Sequence, residues 1–88
     1  MQVLLKSNFE LGRDSLELQE DCSVRSLLDL LSQQCGLHLL DPKNDQVNGS
    51  DFTIVLNGKE HPFWPNGLNT LLRDGDEVQV LVMPLGGG

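Results

Sequence analysis

One stretch of this chain changes its hydrophobic period, and that change restricts the fold more than any other feature. Val24, Leu27, Leu28, Leu31 and Cys35 fall at i, i+3, i+4, i+7 and i+11, a single apolar stripe along a helix. Ser23 stands where an N-cap hydroxyl accepts from a free first-turn amide, and Gly36 where a left-handed residue closes the last turn. Cys22 is placed to pack on Leu27 as a hydrophobic staple, and Leu37 to fold back after the glycine. Caps and period together predict one helix over residues 24–35. The remaining apolar segments are short or alternate with polar residues, as strands do. A chain with one helix and several strands must lay that helix across one face of a single sheet.

The strands follow from local signals. Residues 2–7 are apolar-rich and residues 15–19 alternate, with turn signals at Asn8 and Gly12-Arg13-Asp14, so they predict an antiparallel hairpin. Residues 52–56 are β-branched and apolar and run into Asn57-Gly58, the strongest two-residue hairpin signal. The return limb at 59–61 stops early because Pro62 and Pro65 cannot donate to a ladder. Leu68, Leu71 and Leu72 predict a short helical turn or a brief strand, and Asp74-Gly75 a further turn. Residues 77–83 form the last strand, apolar on both faces towards its end, as a central strand is. The order is β-β-α-β-β, with the first and last strands parallel neighbours at the sheet centre. The face away from the helix then carries Leu81 and Met83, either as an exposed partner-binding patch or as ordinary core.

Charge and size exclude several functions. The 88 residues hold 6 Lys and Arg against 13 Asp and Glu, a net charge of −7. The basic residues are scattered singly, so neither nucleic acid nor an anionic membrane surface is an expected partner. The acidic balance favours a basic one. No apolar run approaches the ~20 residues of a spanning helix, and residues 1–6 lack the pattern of a signal peptide, so cytoplasmic residence is expected. Cys22 and Cys35 match neither a CxxC pair nor a zinc knuckle and read as reduced structural thiols. Asn48-Gly49-Ser50 matches a glycosylation sequon that carries no meaning without secretion.

The body of the chain offers little for catalysis. It has no P-loop, no G-x-G-x-x-G, no H-E-x-x-H and no G-x-S-x-G. His38 and His61 stand apart from any Cys or carboxylate at metal spacing, which predicts surface or capping roles and no metal. The acidic residues of the polar segment 41–51 invite a calcium reading, but Lys43 occupies the third ligand position and the required Gly and Glu are misplaced. A solvated loop is expected there. Trp64, between Phe63 and Pro65, is expected to pack under its own loop rather than serve as a binding anchor. The chain is not expected to be an enzyme.

What remains is the end. Of the 9 glycines, Gly86, Gly87 and Gly88 follow Pro84 and Leu85, so residues 1–84 are expected to form one domain and 85–88 a mobile tail. Extended, residues 84–88 reach roughly 17 Å. A tail without side chains can thread a narrow channel, and the group it delivers is the Gly88 carboxylate. On its own, the tail reads equally well as a frayed terminus.

The segment Leu72-Arg73-Asp74-Gly75-Asp76-Glu77-Val78, a following strand, Pro84 and a terminal Gly87-Gly88 together resemble the ubiquitin-like β-grasp sulfur carriers. The chain is similar to the small subunit of molybdopterin synthase and to the thiamine-pathway sulfur carrier. The resemblance implies an α+β β-grasp fold: a mixed four- to five-stranded sheet, one helix across one face and a flexible glycine tail. It further implies that an E1-like enzyme adenylates Gly88 with Mg-ATP, that a sulfur donor converts it to a thiocarboxylate, and that an acceptor sulfurtransferase subunit takes the sulfur. Gly87 and Gly86 would then be the channel segment, Leu85 a tail contact, and Leu81 with Met83 the partner surface. No cofactor would be bound by this chain. Met83 replaces the first of two prolines usual in the molybdopterin type, and a third glycine precedes the pair. The thiamine type is usually shorter and lacks the proline, which favours the molybdopterin or tungsten-cofactor branch. A ubiquitin-like modifier joined through Gly88 to lysine, and a β-grasp binding module with an inert tail, are the alternatives.

Overall fold

The computed structural model describes residues 1–41, 43 and 46–82. The helix α1 spans Val24–Cys35. Ser23 Oγ accepts from the Ser26 N–H at 3.2 Å, and Gly36, at φ 68°, closes the last turn. The N–H groups of Gly36 and Leu37 both return to the Ser32 carbonyl, the second at 3.1 Å, which closes the last turn. Val24, Leu27, Leu28 and Leu31 are fully buried.

The main sheet contains β1 (Gln2–Ser7), β2 (Ser15–Glu17), β5 (Phe52–Leu56), β6 (Lys59–Glu60) and β7 (Glu77–Val82). Their order is β2-β1-β7-β5-β6. β1 and β7 run parallel, with Leu5 opposite Val78 and Ser7 opposite Val80. The other pairings are antiparallel. Alternation sends Val3, Leu5, Leu16, Phe52, Ile54, Leu56, Val78 and Val80 towards α1, and all of them are buried in one cluster with its stripe. The opposite face carries Leu4, Lys6, Thr53, Val55, Glu77, Gln79 and Leu81, and α1, the one α-helix among the described residues, packs on the other side. The expected central pair and its direction are therefore those observed.

Two segments differ from expectation. The polar segment 41–51 is not simply a solvated loop. Leu40–Asp41 (β3) pairs with Gln46–Val47 (β4) in a small second sheet. Val47 is the one apolar residue of that segment, and burying it in the core draws its neighbours into pairing. Strand β2 is assigned only to Glu17, yet Leu18 and Met1 exchange main-chain bonds at 2.7 Å, which carries the hairpin one pair further. After β6, which stops early as expected, the chain forms a 3-10 turn at His61–Phe63; the short turn expected around Leu68 is the 3-10 turn Gly67–Asn69, and Leu71 makes a single antiparallel bridge to Ser23. Met83 and the tail 84–88 lie outside the described residues.

Leu31→Ala would leave a cavity between helix and sheet. It is expected to lower stability by about 2–5 kcal/mol in urea unfolding, with the slope unchanged.

Candidate functional site

Leu85, Gly86, Gly87 and Gly88, which the sequence singles out for chemistry, are outside the described residues, and so is Met83. The structure describes the strand that carries them and how each end of that strand is held.

At its start, β7 is set by the turn 73–77. Gln2 N–H donates to Asp74 Oδ1 (2.7 Å), Gly75 N–H to the Gln2 carbonyl (2.7 Å), and Leu4 N–H to the Asp76 carbonyl (2.8 Å). Gly75 stands at φ 87°, which a side chain would resist. The Asp76 carboxylate accepts from the Arg73 N–H (2.8 Å) and from Asn57 Nδ2 (3.0 Å). Asn57, itself left-handed at φ 50° in the β5–β6 turn, accepts the Glu77 N–H on Oδ1 (2.9 Å) and donates its own N–H to the Glu77 carbonyl (2.8 Å). The stretch that carries the family resemblance is thus a register device, fixing where β7 begins between β1 and β5.

At its end, Val82 is held by a side chain. Val82 N–H donates to Asn8 Oδ1 (2.9 Å), and Asn8 Nδ2 donates to the Val82 carbonyl (3.2 Å). β1 stops at Ser7, whose hydroxyl donates to the Phe9 carbonyl where the chain turns away. The Asn8 carboxamide supplies the next peptide-like pair in the ladder. Sequence reasoning read Asn8 only as a polar break, because asparagine at a strand end is an ordinary turn residue.

Beside this anchor lies the helix-free face. Leu81, opposite Thr53, is half-buried there and is not part of the core cluster, while Leu4 is 43% exposed. Lys6 Nζ lies 3.5 Å from Glu77 Oε2 across the parallel pair. A hydrogen bond from Gln79 first, and the charge of Lys6 after it, hold the Glu77 carboxyl below its ordinary pKa.

The aromatic corner behaves largely as expected. Trp64 is buried and donates Nε1–H to the Lys59 carbonyl at 2.8 Å. Phe63, next to it, is the exposed aromatic, at 66%. His61 Nδ1 accepts the Ile54 N–H at 3.3 Å, a ladder donor that β6 no longer reaches, and its ring packs edge-on against Trp64. Only a ring unprotonated at Nδ1 can accept that bond. An open cleft of about 710 Å³ runs past His61, Arg25, Ser50 and Asn69 without a paired nucleophile and base. Both cysteines are free thiols; Cys22 Sγ points at the Ser23 carbonyl and Cys35 Sγ at the Leu11 carbonyl. Among the described residues no group of three or more His, Cys, Asp or Glu could hold a metal, and no helix is long and apolar enough to cross a membrane.

Two predictions follow from these contacts. Asp76→Ala removes the acceptor for Arg73 and Asn57 and is expected to lower stability by about 1–2 kcal/mol in urea unfolding. Burial depresses the His61 pKa below about 6.5, so the unfolded chain binds its proton first as pH falls. This contribution to stability is full above about pH 7 and declines as pH drops through 6.5. His61→Asn retains a side-chain acceptor without titrating, so the pH slope of stability between about pH 7 and 5.5 should flatten; an unchanged slope excludes this role.

No family model matches the sequence, and no curated protein is similar to it in sequence. Solved structures do match. Small archaeal modifier protein 1 of Methanosarcina acetivorans is 26% identical, with a TM-score of 0.66 over 99% of this chain and 96% of that one. Urm1 of Trypanosoma brucei is 20% identical, with a TM-score of 0.69 over 98% and 95%. A Pyrococcus furiosus protein described as a candidate molybdopterin converting factor subunit 1 is 21% identical, with a TM-score of 0.65 over 94% and 98%. The fold is the ubiquitin-like β-grasp, the fold of these modifier and molybdopterin-converting-factor structures.

Proposed function

We propose that this chain is a ubiquitin-like sulfur carrier whose Gly88 carboxylate is the reactive group. The observation that carries the reading is that β7, paired on both sides at the centre of a β-grasp sheet, is followed in the sequence by Met83-Pro84-Leu85 and three glycines. A carboxylate is a poor electrophile, so an E1-like partner would use Mg-ATP to form an acyl-adenylate, releasing pyrophosphate. A donor carrying sulfur at the sulfide level would then attack the acyl carbon and displace AMP, leaving a thiocarboxylate. At the acceptor subunit the thiocarboxylate sulfur would bond to the acceptor's substrate, and water would hydrolyse the resulting acyl–sulfur bond, leaving the sulfur on the substrate and returning the carboxylate. In that scheme Gly86 and Gly87 pass through the partner's channel, Leu85 touches its mouth, and Leu81 with Met83 meets its surface. The chain acts as carrier, not as enzyme, and Mg-ATP is the partner's substrate.

The similarity to a molybdopterin converting factor subunit favours delivery towards molybdopterin or tungstopterin synthesis. A second reading, protein modification through Gly88, is favoured by the similarity to a small archaeal modifier protein.

The test is intact mass of the full chain after incubation with its activating enzyme, Mg-ATP and a sulfide-level donor. Exchange of one oxygen for sulfur at Gly88, lost on deleting Gly87 and Gly88, is the expected result. Lysine-linked conjugates in cell extract would support modification instead. No mass change, with full activity after the deletion, would remove both readings.

A further inference from the structure

We infer that Asn8 is a positioning residue for delivery of the C-terminus; this rests on the carrier reading above. Val82 is the last described residue before the tail, and its main chain has lost the β1 partner that would hold it, because β1 ends at Ser7. The Asn8 carboxamide replaces that partner on both sides, accepting from the Val82 N–H at 2.9 Å and donating to its carbonyl at 3.2 Å. On the β5 side Val82 is opposite Phe52, the first residue of that strand, so the ladder ends there as well.

The consequence for the tail is geometric. A short tether delivers its end at high effective concentration only when its root is fixed and its span matches the distance to the target. Six residues follow Val82, a reach of roughly 20 Å when extended. If Val82 frays from the sheet, the fixed root moves inward and the partner must order Val82 on every encounter. Asn8 therefore acts on the reaction through Val82 and not by touching the reacting carboxylate.

Asn8→Ala removes both bonds. Asn8→Asp keeps the acceptor but sets a carboxylate oxygen against the Val82 carbonyl. Two readouts are needed: amide hydrogen exchange at Val82 in the full-length protein, and ATP–pyrophosphate exchange by the cognate activating enzyme. The expected result is faster exchange at Val82 in Asn8→Ala and a smaller acceleration in Asn8→Asp, which keeps the acceptor, with amides of Val78 and Val80 unchanged. The expected loss in kcat/KM is roughly three- to tenfold, seen mainly as a raised KM. Glu10→Ala, a substitution at an exposed residue two positions along the chain, should match the parent in both assays. Unaltered Val82 exchange in Asn8→Ala, or faster exchange with unaltered kcat/KM, overturns the inference while the carrier reading stands. If the parent protein itself supports no pyrophosphate exchange, the carrier reading falls and this inference with it.

Discussion

Strand β7 has no free edge. Its main chain pairs with β1 on one side and β5 on the other, and its Val78 and Val80 side chains are fully buried under α1. Almost everything else in the molecule depends on that strand being in place. The first two strands come from one end of the sequence and β5 from the middle, and only β7 joins them. Register errors are costly here, because a one-residue slip would move Val78 and Val80 to the open face and bring Glu77 and Gln79 into the core. The turn 73–77 and the Asn57 contacts resist that slip at the beginning of the strand, and Asn8 resists it at the end.

Much of this fold was legible in the sequence because the deciding interactions are local. The α1 stripe, the Ser23 cap, the Gly36 closure and the Asn57-Gly58 turn each lie within a few residues of their partners, and all appear as expected. The parallel pairing of β1 with β7 followed from their shared apolar character and the scarcity of helix to cover two faces. The β3–β4 hairpin was hidden for the opposite reason. Its strands are two residues each and polar apart from Leu40 and Val47, and only tertiary burial of Val47 makes pairing worthwhile.

The candidate site divides the same way. The glycine tail is visible in composition alone, since three of nine glycines crowd the last positions. The anchors that give that tail a fixed root are not. Asn8 and Val82 are 74 residues apart, and Asn57 reaches Glu77 across 20. Asparagine at a strand end also has an ordinary explanation as a turn former, so nothing marks Asn8 before the sheet is assembled. Leu81 could be read as core or surface from its strand pattern, and the sheet order places it on the helix-free face.

A domain of this size has little room for both a core and an enclosed active site. The described residues show side chains engaged in caps, register and burial, with His61 completing a strand ladder. On the proposed account the reactive atom is the one the sheet does not enclose. The most direct measurement compares ATP–pyrophosphate exchange by the activating enzyme with the full chain and with a chain amidated at Gly88. The account predicts exchange with the free carboxylate and none with the amide. Equal exchange with both would place the activated group elsewhere and contradict it.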